Sequence, residues 1–571
     1  MTTEAQPAAQ PGVGPGGAWP LPTGFAEHLS LGTPRTTLLY WAGVSLVVAA
    51  LFVTRLLPCV DYPQHLALGD VARRLWHAGA PEHATYELDY FTYNGLFHLL
   101  LAGISAVLPV ELAGRLLVAA SLVGLAGAVI ALVRVLRRPP VHAALFTPVL
   151  FSFSLGWGFV NYVLATAIAG WALVFVVRVA VRPTPLAVGA VALLGLTCAF
   201  AHVLAMLILC AAASALGLEV AIRAASGRGP RAAHALRVAL RAALAVAPLL
   251  LGCAWCIAVY HRQYVWNPGM YRDPTMEGST SPVWEKLALF SAFATDLYTD
   301  FTDQILLWAS LVLVGWSARL AWKRWRARPT HSTGLTGPPR QDPPPIVALF
   351  VVMTLAYLAT PMVLIGTHLI FPRIAQWSVL GAILAMPAFP PREKARTDTW
   401  MLRLGLLAGA NTIAHCAVFG WETVDASRLI DDLPPAAAVT ALIWEPETTA
   451  FRNGTLTHLA AYYAARKHGR WAFAFARYLS VPVRFKRDAQ PAWPAKGWEF
   501  SAENYDPRCK YARVFPLVVV KAPPRLSRDV TAEAELRLLI FKQDASAVKL
   551  LSHHGRYWAF DSSALPEDGT L

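Results

Sequence analysis

PLAVGAVALLGLTCAFAHVLAMLILCAAASALGLEVAI, residues 185–222, sets the class to which this chain belongs. It is apolar almost throughout and breaks at His202. Crossing the hydrocarbon core of a bilayer takes about 20 apolar residues. One continuous helix over this run would measure about 57 Å at 1.5 Å per residue, nearly twice that core. Two spans joined by a tight turn near His202 are the better reading. The rest of the chain agrees. Of its 571 residues 56% are hydrophobic and 15% charged, and the mean hydropathy is +0.44. A soluble chain would carry about 25% charged residues. Disorder, a disulfide-built secreted scaffold and an ordinary cytosolic enzyme are excluded, and a polytopic α-helical membrane protein is implied.

On either side of that run, candidate spans lie near 37–57, 115–136, 141–156, 160–181, 242–260, 301–321, 346–365, 374–390 and 400–420, which with 185–201 and 203–222 makes about eleven. Gly156-Trp157-Gly158-Phe159-Val160-Asn161 reads as a second short hairpin. Residues 96–109 are short for a span and read as re-entrant or interfacial. Residues 1–36, rich in Pro, Gly, Ala and Thr, read as a disordered cytoplasmic tail. Residues 37–420 then form the multi-span unit, with a large first outer loop at 58–114. The Pro-rich stretch 323–345 reads as a linker. From 421 to 571 charges run throughout, as in a soluble domain, and a small α/β domain is expected. Its strands are expected at 439–444 and 514–520, its helix at 456–475, and a terminal hairpin at 536–541 and 547–551.

The net charge of +14 would suggest nucleic acid in a soluble protein. Here loop topology accounts for it. With the N-terminus in the cytoplasm the inner loops carry nineteen Lys and Arg against eight outside, as the positive-inside rule requires. Eleven spans from an inner N-terminus leave the C-terminal domain outside. The Ala- and Arg-rich composition suits a GC-rich bacterium, so the membrane is read as the inner (plasma) membrane and the outer side as periplasmic. No nucleic-acid partner is expected. Cys253 and Cys256 spell C-A-W-C inside an apolar run and read as small hydrophobes. Cys59 and Cys509 lie outside the spans and would pair only if both face an oxidising compartment.

Most spans lack an ionisable residue at mid-depth, where a coupled transporter usually needs one. The chemistry-bearing residues gather on the outer side instead. Pro58-Cys59-Val60-Asp61-Tyr62-Pro63-Gln64-His65 opens the first outer loop. Asp61 lies just past the first span, partly desolvated beside the headgroups, which suits a general base acting on a lipid-linked substrate. The plainer alternative is a solvated Asp at a helix end. Asp89 offers a second acid. His65, His98, Asn161, His202, His368 and Arg373 complete a polar outer rim. A lone His at a helix end is more often a turn residue than a ligand, and Arg373 either grips a phosphate or snorkels to headgroups. Trp444, Trp471, Trp493 and Trp498 are candidates for stacking on sugars, although core packing is commoner.

Taken together, the inner N-terminus, the single span and the long outer loop opening on Asp61-Tyr62-Pro63-Gln64-His65 resemble the GT-C glycosyltransferases. These include the PMT protein mannosyltransferases and the ArnT/RgtA-type bacterial transferases. Tyr93-Asn94-Gly95-Leu96-Phe97-His98 resembles the juxtamembrane helix of their first loop, and Glu111-Leu112-Ala113-Gly114-Arg115 the opening of the next span. The resemblance implies a GT-C-like fold, a polyprenyl-phosphate sugar donor, a glycan, lipid or protein acceptor, Asp61 as catalytic base and inversion at the anomeric carbon. Arg373 would bind the donor phosphate. The loop has no Asp-x-Asp, so no metal ligands are assigned, and a divalent metal stays open as cofactor. The competing class is a non-catalytic lipid or glycan transporter or an envelope assembly scaffold.

Overall fold

A computed structural model describes residues 27, 29–225, 231–266, 279–326, 346–363, 368–494, 496–526 and 532–565. Most of the 1–36 tail and of the 323–345 linker lies outside them. The chain is mostly helical. Among the described residues six helices are long and apolar enough to cross a membrane: Val110–Val135, Val160–Val181, Val203–Ala224, Ala232–Gln263, Thr302–Arg326 and Pro391–Glu422.

Pro185–Ala201 keeps its expected bounds; the other segments expected to span are shorter, and proline explains most of the difference. Residues 141–156 are a 3₁₀ stretch, Pro140–Val149, followed by a single turn, Phe153–Gly156. Pro148 sits inside that stretch without an N–H to give, so a continuous α-helix cannot form. Ala348–Ala359 stops before Thr360-Pro361, and Ala375–Ala385 before Met386-Pro387, because the residue ahead of proline is pushed out of the helical region. The first helix, Pro34–Ala50, starts ahead of residue 37. Thr33 and Thr36 close a reciprocal cap at its start, and proline suits the first turn. The break at His202 is present: its backbone is extended, φ −168° and ψ 123°.

Three cations counted among the outer-loop charges are buried instead, Arg115, Lys286 and Arg373, and the first two end on backbone carbonyls. Arg115 donates to the carbonyls of Leu51 and Thr54, at 2.6 and 2.5 Å, and to that of Arg55. Lys286 Nζ donates to the carbonyls of Leu358 and Thr360 at 2.8 and 2.6 Å. Both satisfy carbonyls left over in or just past the last turn of a helix.

Strands β2 (Ala438–Ile443), β3 (Arg470–Trp471), β5 (Leu517–Lys521), β6 (Lys549–His554) and β7 (Tyr557–Asp561) form one sheet in the order β3-β2-β5-β7-β6. β2 runs parallel to β3 and β5, and β7 antiparallel to β5 and β6. The terminal hairpin is therefore β6–β7. Residues 536–541 belong to a helix, Ala532–Phe541, whose Leu536 and Ile540 are buried at helical spacing. Trp471 and Trp498 are core residues, donating to Gln64 Oε1 and Thr440 Oγ1. Cys59 and Cys509 are both free thiols.

The segment 58–114 and the C-terminal region are built into each other. β1 (Tyr86–Leu88) pairs antiparallel with β4 (Val483–Phe485). The helix Tyr62–Arg74 packs against the helix Leu459–Lys467. Asp70 pins that contact. It is 1% exposed and holds Arg73 at 2.8 Å, Arg74 at 3.0 Å and His468 at 3.0 Å. Burial alone would raise its carboxyl, yet the His468 bond and the arginines hold it below its ordinary value. The resulting stability is present above the unfolded carboxyl pKa of about 3.9 and is lost as pH falls through the lower folded value. Asp70→Asn removes the carboxylate that Arg73, Arg74 and His468 share and leaves Arg74 with Glu82 alone; it should cost about 2 kcal/mol, read as a lower unfolding temperature in detergent at neutral pH.

Candidate active site

Asp61 stands at the N-cap of the helix Tyr62–Arg74. Asp is a favoured cap, but here its side chain makes no capping bond. The backbone instead leans on the Gly156–Asn161 hairpin. Val60 N–H donates to Gly156 O at 2.9 Å and Asp61 N–H to Trp157 O at 3.0 Å. Gly158 lies in left-handed conformation, φ +79°, with the position of a Cβ only 2.5 Å from the Asp61 and Tyr62 nitrogens. Only glycine fits there. The hairpin inferred from the sequence is thus the seat of the Asp61 backbone.

The Asp61 carboxylate faces the C-terminal region. Its Oδ1 meets His458 Nε2 at 3.2 Å. His458 Nδ1 lies 3.2 Å from Gln64 Nε2 and 3.3 Å from Glu499 Oε1. The three titratable side chains are little exposed, at 16%, 3% and 15%. Among the described residues no donor meets Asp61 Oδ2. Burial would lower the His458 imidazole, but the Asp61 bond and the charges of Glu499 and Asp61 raise it above its ordinary value. Burial pushes the Glu499 carboxyl up to about 7, with His458 opposing and Asp61 adding.

His65, one turn on from Asp61, is buried beside His98. His65 Nδ1 lies 3.0 Å from His98 Nε2, and His98 Nδ1 lies 2.8 Å from Asn94 O. A carbonyl only accepts, so His98 carries its hydrogen on Nδ1. Its Nε2 then accepts from His65 Nδ1–H, which leaves the His65 Nε2 lone pair bare. Burial, then His98, His458, His202 and Arg373, hold His65 well below its ordinary value, so it is neutral.

Arg373 is 6% exposed. Its Nη1 lies 3.2 Å from His202 Nε2, and its Nη2 donates to the His368 carbonyl at 3.1 Å. Its guanidinium carbon stacks 3.7 Å over the Phe159 ring. Tyr162 O–H donates to its carbonyl at 2.7 Å. Nε has no partner, and among the described residues no carboxylate lies within ion-pair distance. Burial pulls the group down to about 10, with Tyr162 and Asp61 pulling back up, so it stays cationic near neutrality. Asn161, 3% exposed, leaves its Oδ1 unpartnered on the same hairpin.

Asp61, His65, His98, His202, Asn161 and Arg373 therefore share one region. Two expected residues do not join it. Asp89 is bound to Arg484 at 2.6 Å and Arg262 at 3.2 Å, which locks the loop after β1 and leaves no free acid. His368 has an exposed side chain and offers Arg373 only its carbonyl. His458, Glu499 and Gln64 were missed. A lone His and a lone Glu, 397 and 438 positions beyond Asp61, carry no local signal of chemistry. An open groove of about 810 Å³ lies elsewhere, along Arg55, Asp70, Glu111, Arg466 and His468. Arg55, Arg466 and His468 are paired with Asp431, Glu111 and Asp70, and Arg115 and Lys467 donate to backbone carbonyls, so its cations are already engaged. Among the described residues no group of three or more His, Cys, Asp or Glu is placed to hold a metal ion.

This geometry comes with a structural likeness. The fold is similar to that of ArnT from Cupriavidus metallidurans. Against its crystal structure bound to undecaprenyl phosphate the TM-score is 0.48 at 12% identity, over 94% of this chain and 99% of that one. Against the apo structure the values are 0.44 and 13%, over the same shares. No family model and no curated protein matches the sequence.

Proposed function

We propose that this chain is an inner-membrane GT-C glycosyltransferase. It moves a sugar from a polyprenyl-phosphate donor to an envelope glycan, lipid or protein on the periplasmic face. The N-terminus is cytoplasmic and residues 421–571 form a periplasmic domain. One observation carries the reading: the single hairpin Gly156–Asn161 supports both a carboxylate with a free oxygen and a buried guanidinium with no described carboxylate within ion-pair distance. Base and anion site are what displacement from a glycosyl phosphate needs.

In this reaction the acceptor oxygen attacks the anomeric carbon while Asp61 Oδ2 takes its proton. The bond from that carbon to the phosphate oxygen breaks, and its electron pair leaves with the phosphate. Arg373 holds the charge that develops there. A phosphate needs little protonation to leave, so one carboxylate suffices and the anomeric centre inverts. His65, His202 and Asn161 offer polar groups for the sugar.

The test compares envelope glycolipids and glycans in cells with wild type, no protein, and Asp61→Asn at matched expression. The Asn variant is expected to match the deletion, with transfer down by about 10²–10⁴-fold, the worth of a general base. A variant that behaves like wild type would sink the assignment and favour a transporter or scaffold.

A further inference from the structure

Asp61 makes a single side-chain hydrogen bond, and its partner comes from 397 residues further along. The state of that partner follows from Gln64. Gln64 Oε1 accepts from Trp471 Nε1–H at 2.7 Å and from Phe475 N–H at 3.2 Å. Two donors at one end identify it as the oxygen, so the other end is the amide nitrogen. That nitrogen donates to Phe473 O at 3.0 Å and points its second hydrogen at His458 Nδ1. In the neutral ring Nδ1 accepts from it, and in the protonated ring Nδ1–H turns to Glu499 Oε1 at 3.3 Å; in both states Nε2 carries a hydrogen aimed at Asp61 Oδ1.

The ring is also held in place. Phe475 and Phe500 stand edge-on to it, at 5.5 and 6.3 Å. Behind it a cavity of about 10 Å³ opens between Gln64, Thr457, Trp471 and Glu499, room for one water. Protein groups, rather than bulk solvent, set its orientation.

We infer that His458 is the positioning residue of the reaction proposed above: its Nε2–H ties Asp61 Oδ1 so that Oδ2 alone faces the acceptor. The inference rests on that reading. Without the tie the carboxylate turns freely about its last torsion, and the oxygen meant for the acceptor is placed only part of the time. A base misplaced by about 1 Å can cost about 10²-fold in rate. The C-terminal region is then a working part of the catalytic centre, in addition to any hold on the acceptor.

Three variants test this with purified full-length protein, a polyprenyl-phosphate sugar and the acceptor identified in the cellular comparison. His458→Ala is expected to lower kcat about 10²-fold with donor KM unchanged. His458→Gln carries an N–H at nearly the reach of Nε2 and is expected to recover kcat to within about tenfold of wild type. Asp61→Asn reports on the underlying reading. If it abolishes transfer while His458→Ala keeps wild-type kcat, the positioning role is overturned and the reading stands. If both keep wild-type kcat, the reading fails and takes the inference with it. If the Ala and Gln variants lose kcat, KM and thermal stability alike, His458 is merely structural and the inference is overturned.

Discussion

Arg373→Met is expected to abolish transfer while leaving the protein as stable as wild type or more so. The two effects have opposite signs because the guanidinium is held at a cost. Removing an ion from water costs several kcal/mol even after relaxation, and among the described residues no carboxylate within ion-pair distance repays it, only the more distant Asp61 in part. Stacking on Phe159 returns about 2 kcal/mol, and the His368 carbonyl accepts one hydrogen bond; His202 Nδ1 accepts from Leu204 N–H, so its Nε2 carries the hydrogen and gives Arg373 none. Met fills a similar volume without the charge. Buried ion pairs replaced by apolar side chains often gain stability, and an unpaired buried cation has more to gain. Losing one group that stabilises developing charge typically costs about 10²–10³-fold in kcat. Arg373→Lys should not restore it, since an ammonium can neither lie flat on Phe159 nor present a fork to a phosphate. Unfolding temperature in detergent and transfer rate, measured on the same preparations, check both halves. Adding a polyprenyl phosphate should raise the wild-type unfolding temperature and leave that of Arg373→Met unmoved. A large loss of stability in Arg373→Met would mean that the cation is structural.

Much of this site was legible because its members sit at breaks in apolar runs. Asp61, Asn161, His202 and Arg373 each interrupt a hydrophobic stretch, and an interruption is visible at single-residue resolution. His65 follows from Asp61 by one helical turn. What pairs with these residues was not legible. His458 opens the helix Leu459–Lys467, and Glu499 lies between Trp498 and Phe500. Nothing local separates either from an ordinary surface residue, and only the packing of that helix on Tyr62–Arg74 brings them to the carboxylate. Charges misled for the same reason. Arg115 and Lys286 look like loop cations, yet each ends on helix carbonyls that only the folded chain presents. Asp89 looked like a spare acid until Arg484, from a strand 395 positions away, claimed it. Span length was overestimated where proline sits in or just after an apolar run, because hydropathy averages over the break that Pro148 makes in the backbone.

Gly158→Ala is expected to be nearly as damaging as removing Asp61, although the residue takes no part in chemistry. A Cβ at this position would lie 2.5 Å from both the Asp61 and Tyr62 nitrogens and 2.9 Å from the Asp61 carbonyl carbon. All three are backbone atoms, so no flexible side chain can swing away. A φ of +79° is itself strained for alanine, by about 1–2 kcal/mol. The clash and the strain add, and the chain can relieve them only by separating the hairpin from the Asp61 segment. That breaks the bonds from Val60 to Gly156 and from Asp61 to Trp157, carries Asp61 off its line with His458, and tilts Phe159 under Arg373. A shift of about 1 Å at the base is enough for a loss of about 10²-fold. Gly189→Ala is the control. Its Cβ would meet nothing within 4 Å, on the exposed face of the helix Pro185–Ala201. Alanine is favoured over glycine there by up to about 1 kcal/mol, so transfer should stay at the wild-type rate. If Gly158→Ala transfers sugar as fast as Gly189→Ala, the hairpin does not seat the base, and the shared support of Asp61 and Arg373 loses its meaning for catalysis.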